Sequence, residues 1–225
     1  MTLLGAQAQT TQPLVRWDWV WDHLDDIWAQ TVEHLVLTAY ALGVGIVLSA
    51  ALAFVALRWR WTFHPISWMT GVLYTIPSLA LFVILIPITG LSKTTALIGL
   101  VSYTLLILVR NIVAGIDGVP GEVREAAAGM GYNRRSLLWR VEVPLALPVI
   151  VAGIRVAAVT TVGLVTVTAL IGEGGLGQLI LTGLNRFFTT PLIVGAVLSV
   201  ALALLIDLAL VSTQRALTPW ARRRA

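Results

Sequence analysis

Apolar residues in this chain gather into long uninterrupted runs rather than alternating or recurring on one face. Five stretches, about 34–57, 66–88, 94–113, 148–171 and 191–214, contain almost no charge. Crossing the hydrocarbon core of a bilayer takes roughly 20 apolar residues. Within lipid every backbone polar group must be bonded inside its own segment, so such runs are helices. The pattern predicts an all-α polytopic membrane protein with about five transmembrane helices. Too little chain lies between the runs for a large soluble domain. Three regions follow: a tail with an amphipathic segment over 1–33, a membrane domain over 34–214 and a basic tail over 215–225.

Two polar stretches break the pattern. Residues 1–15 are expected to be disordered. In 16–33, Trp17, Trp21, Leu24, Ile27 and Trp28 recur at helical spacing opposite Asp18, Asp22, Asp25 and Asp26. This reads either as an amphipathic helix at the membrane interface, where Trp is favoured, or as an extension of the first span. The second stretch, about 117–144, predicts a helix–turn–helix. Asp117 is a candidate cap, Pro120 suits a first helical turn, and Glu122 and Glu125 favour its positive end. Gly131 is placed to end the helix with positive φ. Asn133 caps a second helix over 134–142, and Pro144 stops it. Leu137, Leu138 and Val141 form an apolar stripe that needs a protein surface to cover it. In the second span, Pro77 and Pro87 predict kinks.

Composition agrees with lipid as the main solvent: 58% of residues are hydrophobic and 12% are charged, against about 25% charged in soluble domains. The formal charge of +4 does not indicate nucleic acid, because the basic residues sort by membrane side. Arg58, Arg60, Arg110, Arg124, Arg134, Arg135, Arg140, Arg215, Arg222, Arg223 and Arg224 fall on one side of a five-span topology. Arg16, Lys93 and Arg186 fall on the other. The positive-inside rule makes the first side cytoplasmic, with the N-terminus outside and the C-terminus inside. The first 30 residues lack the basic start and apolar core of a cleaved signal, so the first span is expected to insert as an uncleaved anchor.

Several chemistries lack their residues. No GxxxxGK[ST] loop occurs, and the single lysine, Lys93, follows Ser92 in a short outer loop. The chain is therefore not expected to hydrolyse ATP itself. Gly172 to Gly177, GEGGLG, matches the dinucleotide fingerprint by letter, but a membrane span precedes it and no acid follows at the required distance. It reads instead as a turn that allows close helix approach. There is no cysteine, and His23, His34 and His64 are scattered. No cofactor or metal is expected. Two ionisable residues, Arg155 and Asp207, sit roughly 10–12 Å deep from the cytoplasmic side at 1.5 Å per residue. A mutual pair would reduce the cost of burying them; otherwise Arg155 snorkels and Asp207 finds a hydroxyl or backbone partner.

The polar loop resembles the EAA motif of permease subunits of bacterial ATP-binding-cassette importers, whose pattern is EAA, three residues, Gly, nine residues, then I-x-L-P. Glu125, Ala126 and Ala127 are followed at that spacing by Gly131 and by Val141-Glu142-Val143-Pro144, with Val at both aliphatic positions. Segments 74–100, 110–131, 141–159 and 170–180 are similar to the osmoprotectant-uptake branch, which serves glycine betaine, choline and carnitine. Methionine permeases share the fold, the loop and a GGLG segment. The resemblance implies a MetI-like permease fold with a cytoplasmic coupling helix docked on the ATPase. Glu125 would pair with a basic residue there, Gly131 would make the turn, and Ala126 and Ala127 would allow close packing. It also implies an ATPase dimer, a second permease subunit, identical or paralogous, and an extracytoplasmic binding protein. Tyr74 and Tyr103 are candidates for holding a quaternary ammonium by cation–π contact. A secondary transporter or channel is the rival reading, and would need midplane ionisable groups and internal repeats.

Overall fold

The computed structural model describes residues 13–220. The part of the N-terminal tail before residue 13 and the last five residues of the basic tail lie outside that range. Among the described residues the chain is helical, without a strand. Four helices are long and apolar enough to cross a membrane, and a bent pair makes a fifth crossing if counted as one span. All five fall where the apolar runs lie.

Helix α1 (Trp17–Asp22) is separated by His23 alone from α2 (Leu24–Arg58). The amphipathic stretch is thus divided: its first turns form α1 and the rest extends the first span. His23 breaks the helix at φ −122°, ψ 24°; its ring stacks on Trp19 with centroids 4.3 Å apart. Trp17, Trp21, Leu24 and Trp28 remain exposed, as an interfacial face requires, whereas Ile27 turns inward to pack with Val162 and Leu176. The Arg16 guanidinium, 3.0 Å from Asp18, holds that carboxyl below the usual carboxylate range.

Helix α2 presents Ala41, Gly45, Ser49, Ala53 and Ala56 as a buried stripe of small residues. In lipid, helices associate through close packing rather than hydrophobic burial, and small residues let their backbones approach. The partner is α5 (Lys93–Asp117). A Cβ on Gly45 would lie 2.1 Å from Thr104 Oγ1, so even alanine is excluded there without movement.

The second apolar run is the bent pair. α3 (Phe63–Thr75) and α4 (Ser78–Thr89) meet at 98°. Pro77 disfavours the helical region for the residue before it, and Ile76 is extended at ψ 127°. Pro87, also expected to kink, lies inside a continuous α4. It sits in the last turn, where little helix remains to be redirected.

After α5 come α6 (Gly121–Gly129), α7 (Arg134–Leu137), a π-helical turn (Leu138–Glu142) and α8 (Val143–Thr168). Pro144 does not stop the second loop helix: residues 134–171 form one continuous helical rod. Proline needs its ring clear of the carbonyl four residues earlier. The wider register of the π turn shifts that carbonyl, and Pro144 then falls in the first turn of α8. A short helix not foreseen from the sequence, α9 (Leu176–Asn185), leads into α10 (Thr189–Leu217).

Contacts between element ends separate two poles. At one, the Arg16 backbone N–H donates to Thr190 Oγ1 at 2.9 Å and Lys93 Nζ pairs with Glu33 at 3.1 Å. At the other, Arg60 holds Asp117 and Arg124 holds Glu142. The arginine-rich loops therefore gather at one pole, as five alternating crossings require.

Candidate functional site

Helix α6 begins after Pro120, whose carbonyl accepts from Val123 N and Arg124 N at 3.2 and 3.3 Å. Pro120 therefore occupies the cap position. Asp117, expected as the cap, is instead the last residue of α5. Both its oxygens accept from the Arg60 guanidinium, at 2.8 and 2.6 Å. A two-point charge-assisted contact outcompetes a single cap bond.

The turn after α6 forms as its residues demand. Gly131 adopts φ +86°. Its N–H reaches the Ala128 carbonyl at 3.0 Å, and Tyr132 N reaches Ala127 at 3.2 Å. This pair of bonds satisfies two carbonyls that a helix end would leave open. Asn133 Oδ1 then accepts from Ser136 N at 2.8 Å and starts α7.

Arg124 joins the two arms of the loop. Its Nε lies 2.7 Å from Glu142 Oε1, and a terminal nitrogen donates to the Ile116 carbonyl at 2.6 Å. On α6, Glu125 and Ala126 are exposed while Ala127 is buried. Met130 and Trp139 are also exposed, at 71% and 61%. Leu137, Leu138, Val141 and Pro144 are half-buried. Leu137 and Leu138 line a cleft with Phe54 and Leu57 of α2, so part of the surface covering the stripe belongs to this chain. Of the loop's carboxylates, Asp117 and Glu142 are paired, while Glu122 and Glu125 on α6 are exposed without a basic partner among the described residues, Glu125 beside the small Ala126.

Inside the bundle the structure brings together two residue pairs named from the sequence. Arg155 on α8 donates to both oxygens of Asp207 on α10, at 2.8 and 3.0 Å. Both side chains remain about 30% exposed (31% and 29%). The snorkelling alternative is thereby replaced by a two-point pair. Tyr74 and Tyr103 meet edge to face with centroids 5.7 Å apart. Tyr103 is buried and its hydroxyl donates to the Ile76 carbonyl at the break between α3 and α4. Only the Tyr74 ring, 38% exposed, is open to a ligand.

The GEGGLG segment is a tight, glycine-dependent crossing. Gly172, Gly174 and Gly175 have φ of 84°, 154° and 48°. A Cβ on Gly175 would lie 2.6 Å from His34 N, and one on Gly177 2.3 Å from Thr166 O. These glycines let α9 press against α2 and α8. Next to them His34, unremarkable in the sequence, is fully buried, with Nε2 3.1 Å from the Val162 carbonyl. Among the described residues no three metal-ligating side chains converge.

Residues 40–222 match the family described as binding-protein-dependent transport system inner membrane component, and the chain belongs to that family. It is 38% identical over 194 residues to the osmoprotectant import permease protein OsmW of Salmonella typhimurium, covering 84% of this chain and 90% of that one. It is 35% identical over 190 residues to the glycine betaine/carnitine/choline transport system permease protein OpuCB of Bacillus subtilis, covering 84% and 88%. Among solved structures, an inward-facing form of the MetNI methionine ABC transporter superposes with a TM-score of 0.77. It covers 88% of this chain and 98% of that one at 23% identity, a likeness of fold.

Proposed function

We propose that the chain is the transmembrane permease subunit of an ATP-binding-cassette importer for a compatible solute such as glycine betaine, choline or carnitine. The observation that carries this reading is the loop 117–144. Its EAA residues lie on a helix closed by a glycine turn, and the two exposed carboxylates of that helix, Glu122 and Glu125, have no basic partner among the described residues. The solute class is supported by relatives bearing those names over most of their lengths.

In this reading a cytoplasmic ATPase dimer docks on the loops of two permeases, identical or paralogous, and hydrolyses ATP on its own subunits. An extracytoplasmic binding protein delivers the solute. The arginine-rich pole faces the cytoplasm, with the N-terminus outside. Glu125 pairs with a basic residue of the ATPase; the small side chains of Ala126 and Ala127 permit close approach of that surface. Leu137, Leu138, Val141 and Pro144 carry the displacement from the loop into α8. Arg155 and Asp207 keep α8 and α10 in register as they move, and the exposed Tyr74 ring offers its face to a quaternary ammonium.

The test is uptake of labelled glycine betaine at high osmolarity by cells lacking the gene and by complemented cells, with redundant importers removed. Loss on deletion and rescue on complementation are expected, with competition by choline or carnitine ranking the ligands. Unchanged uptake would refute the solute class and move the substrate to methionine or another small solute.

A further inference from the structure

A second built site lies at the arginine-rich pole, away from the exposed face of α6. Two cavities of about 220 and 210 Å³ open beside one another and share Phe54, Leu57, Ile116 and Leu138. Each exceeds the roughly 150 Å³ that suffices for an apolar cavity to admit benzene. The outer cavity is lined by Arg58, Arg60, Arg124 and Arg134 with Glu142. The inner one is walled by apolar side chains alone, among them Ile46 and Ala50 of α2, Ile112 of α5 and Ile154 of α8.

Charge and length together say what fits. Arg60 is neutralised by Asp117 and Arg124 by Glu142. Arg58 and Arg134 have no carboxylate partner among the described residues. The mouth therefore carries two guanidinium charges without carboxylate partners above an uncharged channel, that of Arg58 lying over the Trp59 ring at 5.4 Å from its centroid. Ile46 lies twelve residues from Arg58 on α2, and Ile154 twelve from Glu142 on the rod. At 1.5 Å per residue either wall descends about 18 Å, close to the roughly 15 Å of one leaflet's hydrocarbon. A groove one leaflet deep, apolar below and cationic at the headgroup level, has the shape of a phospholipid. Basic pockets between spanning helices on the cytoplasmic side are suited to anionic headgroups.

We propose that this groove binds an anionic glycerophospholipid, its phosphate held between Arg58 and Arg134 and an acyl chain lying along Ala50, Phe54 and Ile154. A water-soluble subunit cannot occupy a channel within hydrocarbon. A second copy of this chain would bring its own arginine-rich pole, which carries an excess of guanidinium over carboxylate, against the mouth. The site shares Leu137 and Leu138 with the proposed coupling surface, but Arg58, Arg134 and Ala50, on which its recognition rests, have no part in that role, and it does not depend on Glu125.

The test is native mass spectrometry of the full chain, purified with its accompanying subunits in detergent. Phosphatidylglycerol, phosphatidylcholine with the same acyl chains, and inorganic phosphate are added separately. Phosphatidylglycerol should be retained in preference to phosphatidylcholine. Arg58→Gln with Arg134→Gln should weaken phosphatidylglycerol about thirty-fold, from roughly 1 kcal/mol per cation at a membrane surface. Ala50→Trp, which fills the channel, should weaken both lipids. Equal retention of the two lipids by the unaltered complex would overturn the proposal. So would phosphatidylglycerol binding unaffected by either variant, or its full displacement by inorganic phosphate, which would mark a free-phosphate site. A cysteine placed at Ala50, in a chain that has none, adds a separate check. Its crosslinking to a second permease copy would assign the groove to a subunit interface instead.

Discussion

Replacing Gly177 by alanine tests the close crossing of α8 and α9 directly. The added Cβ would lie 2.3 Å from the Thr166 carbonyl oxygen and 2.8 Å from its carbon. The obstacle is backbone within a spanning helix, so no side chain can rotate out of the way. α9 must retreat by about 1 Å, and overpacking of this kind costs roughly 1–3 kcal/mol. For a chain of this size each kcal/mol shifts the melting temperature by about 2–4 °C, so a fall of roughly 2–12 °C is expected. Gly163, on α8 close to Thr166, is the control. It has no heavy atom within 4 Å of its built Cβ, and Gly→Ala inside a helix gains about 0.5–1 kcal/mol. Gly163→Ala should therefore hold or raise the melting temperature while Gly177→Ala lowers it. Both are read by heating the purified complex and following the fraction that remains monodisperse. A Gly177→Ala complex as heat-resistant as the parent would refute the steric account of the GEGGLG segment.

Other variants probe the remaining contacts. Glu125→Arg should leave insertion and abundance unchanged but abolish ATP-coupled uptake; full uptake by that variant would remove the coupling role of Glu125. Asp207→Ala should lower heat resistance by leaving the Arg155 guanidinium unpaired. The exchange Arg155→Asp with Asp207→Arg should recover most of the loss, which a merely steric role would not allow. Tyr103→Phe removes the donor to the half-buried Ile76 carbonyl and should cost about 1 kcal/mol, the low end of the range for a carbonyl left unsatisfied. The same melting assay checks it, and an unchanged transition would dissociate Tyr103 from the break at Pro77.

The spans were legible because lipid imposes one rule on every residue of a run, and that rule needs no knowledge of neighbours. Gly131 and Asn133 were legible for a related reason: positive φ and a side-chain cap are local, settled within a few residues. Asp117 was misassigned because its competitor for a cap bond, Arg60, lies 57 residues away in the chain. Pro144 was misread because a π turn over 138–142 leaves no compositional mark. α9 escaped notice because its ten residues are too few for a span and follow a glycine cluster that reads as loop. The Arg155–Asp207 pair lay between these extremes. Matching depth suggested it, but only helix packing could bring the side chains face to face. The basic groove had no single sequence signal, since its lining comes from α2, α5, α6, the helical rod from Arg134 onward and Arg60 between α2 and α3, segments far apart in the chain.

The uninterrupted rod from Arg134 to Ile171 has a mechanical consequence. Its 38 residues measure about 57 Å at 1.5 Å per residue. A lever of that length, tilted by about 5° at the loop end, carries its far end through roughly 5 Å, comparable to one full helical turn. Had Pro144 broken the rod, the same push would have been absorbed as bending at the proline. With Pro144 accommodated at the start of α8, a small angular input at one end of the rod becomes an ångström-scale stroke at the other, next to the glycine crossing that anchors α9, less the bend absorbed at Pro148 inside α8.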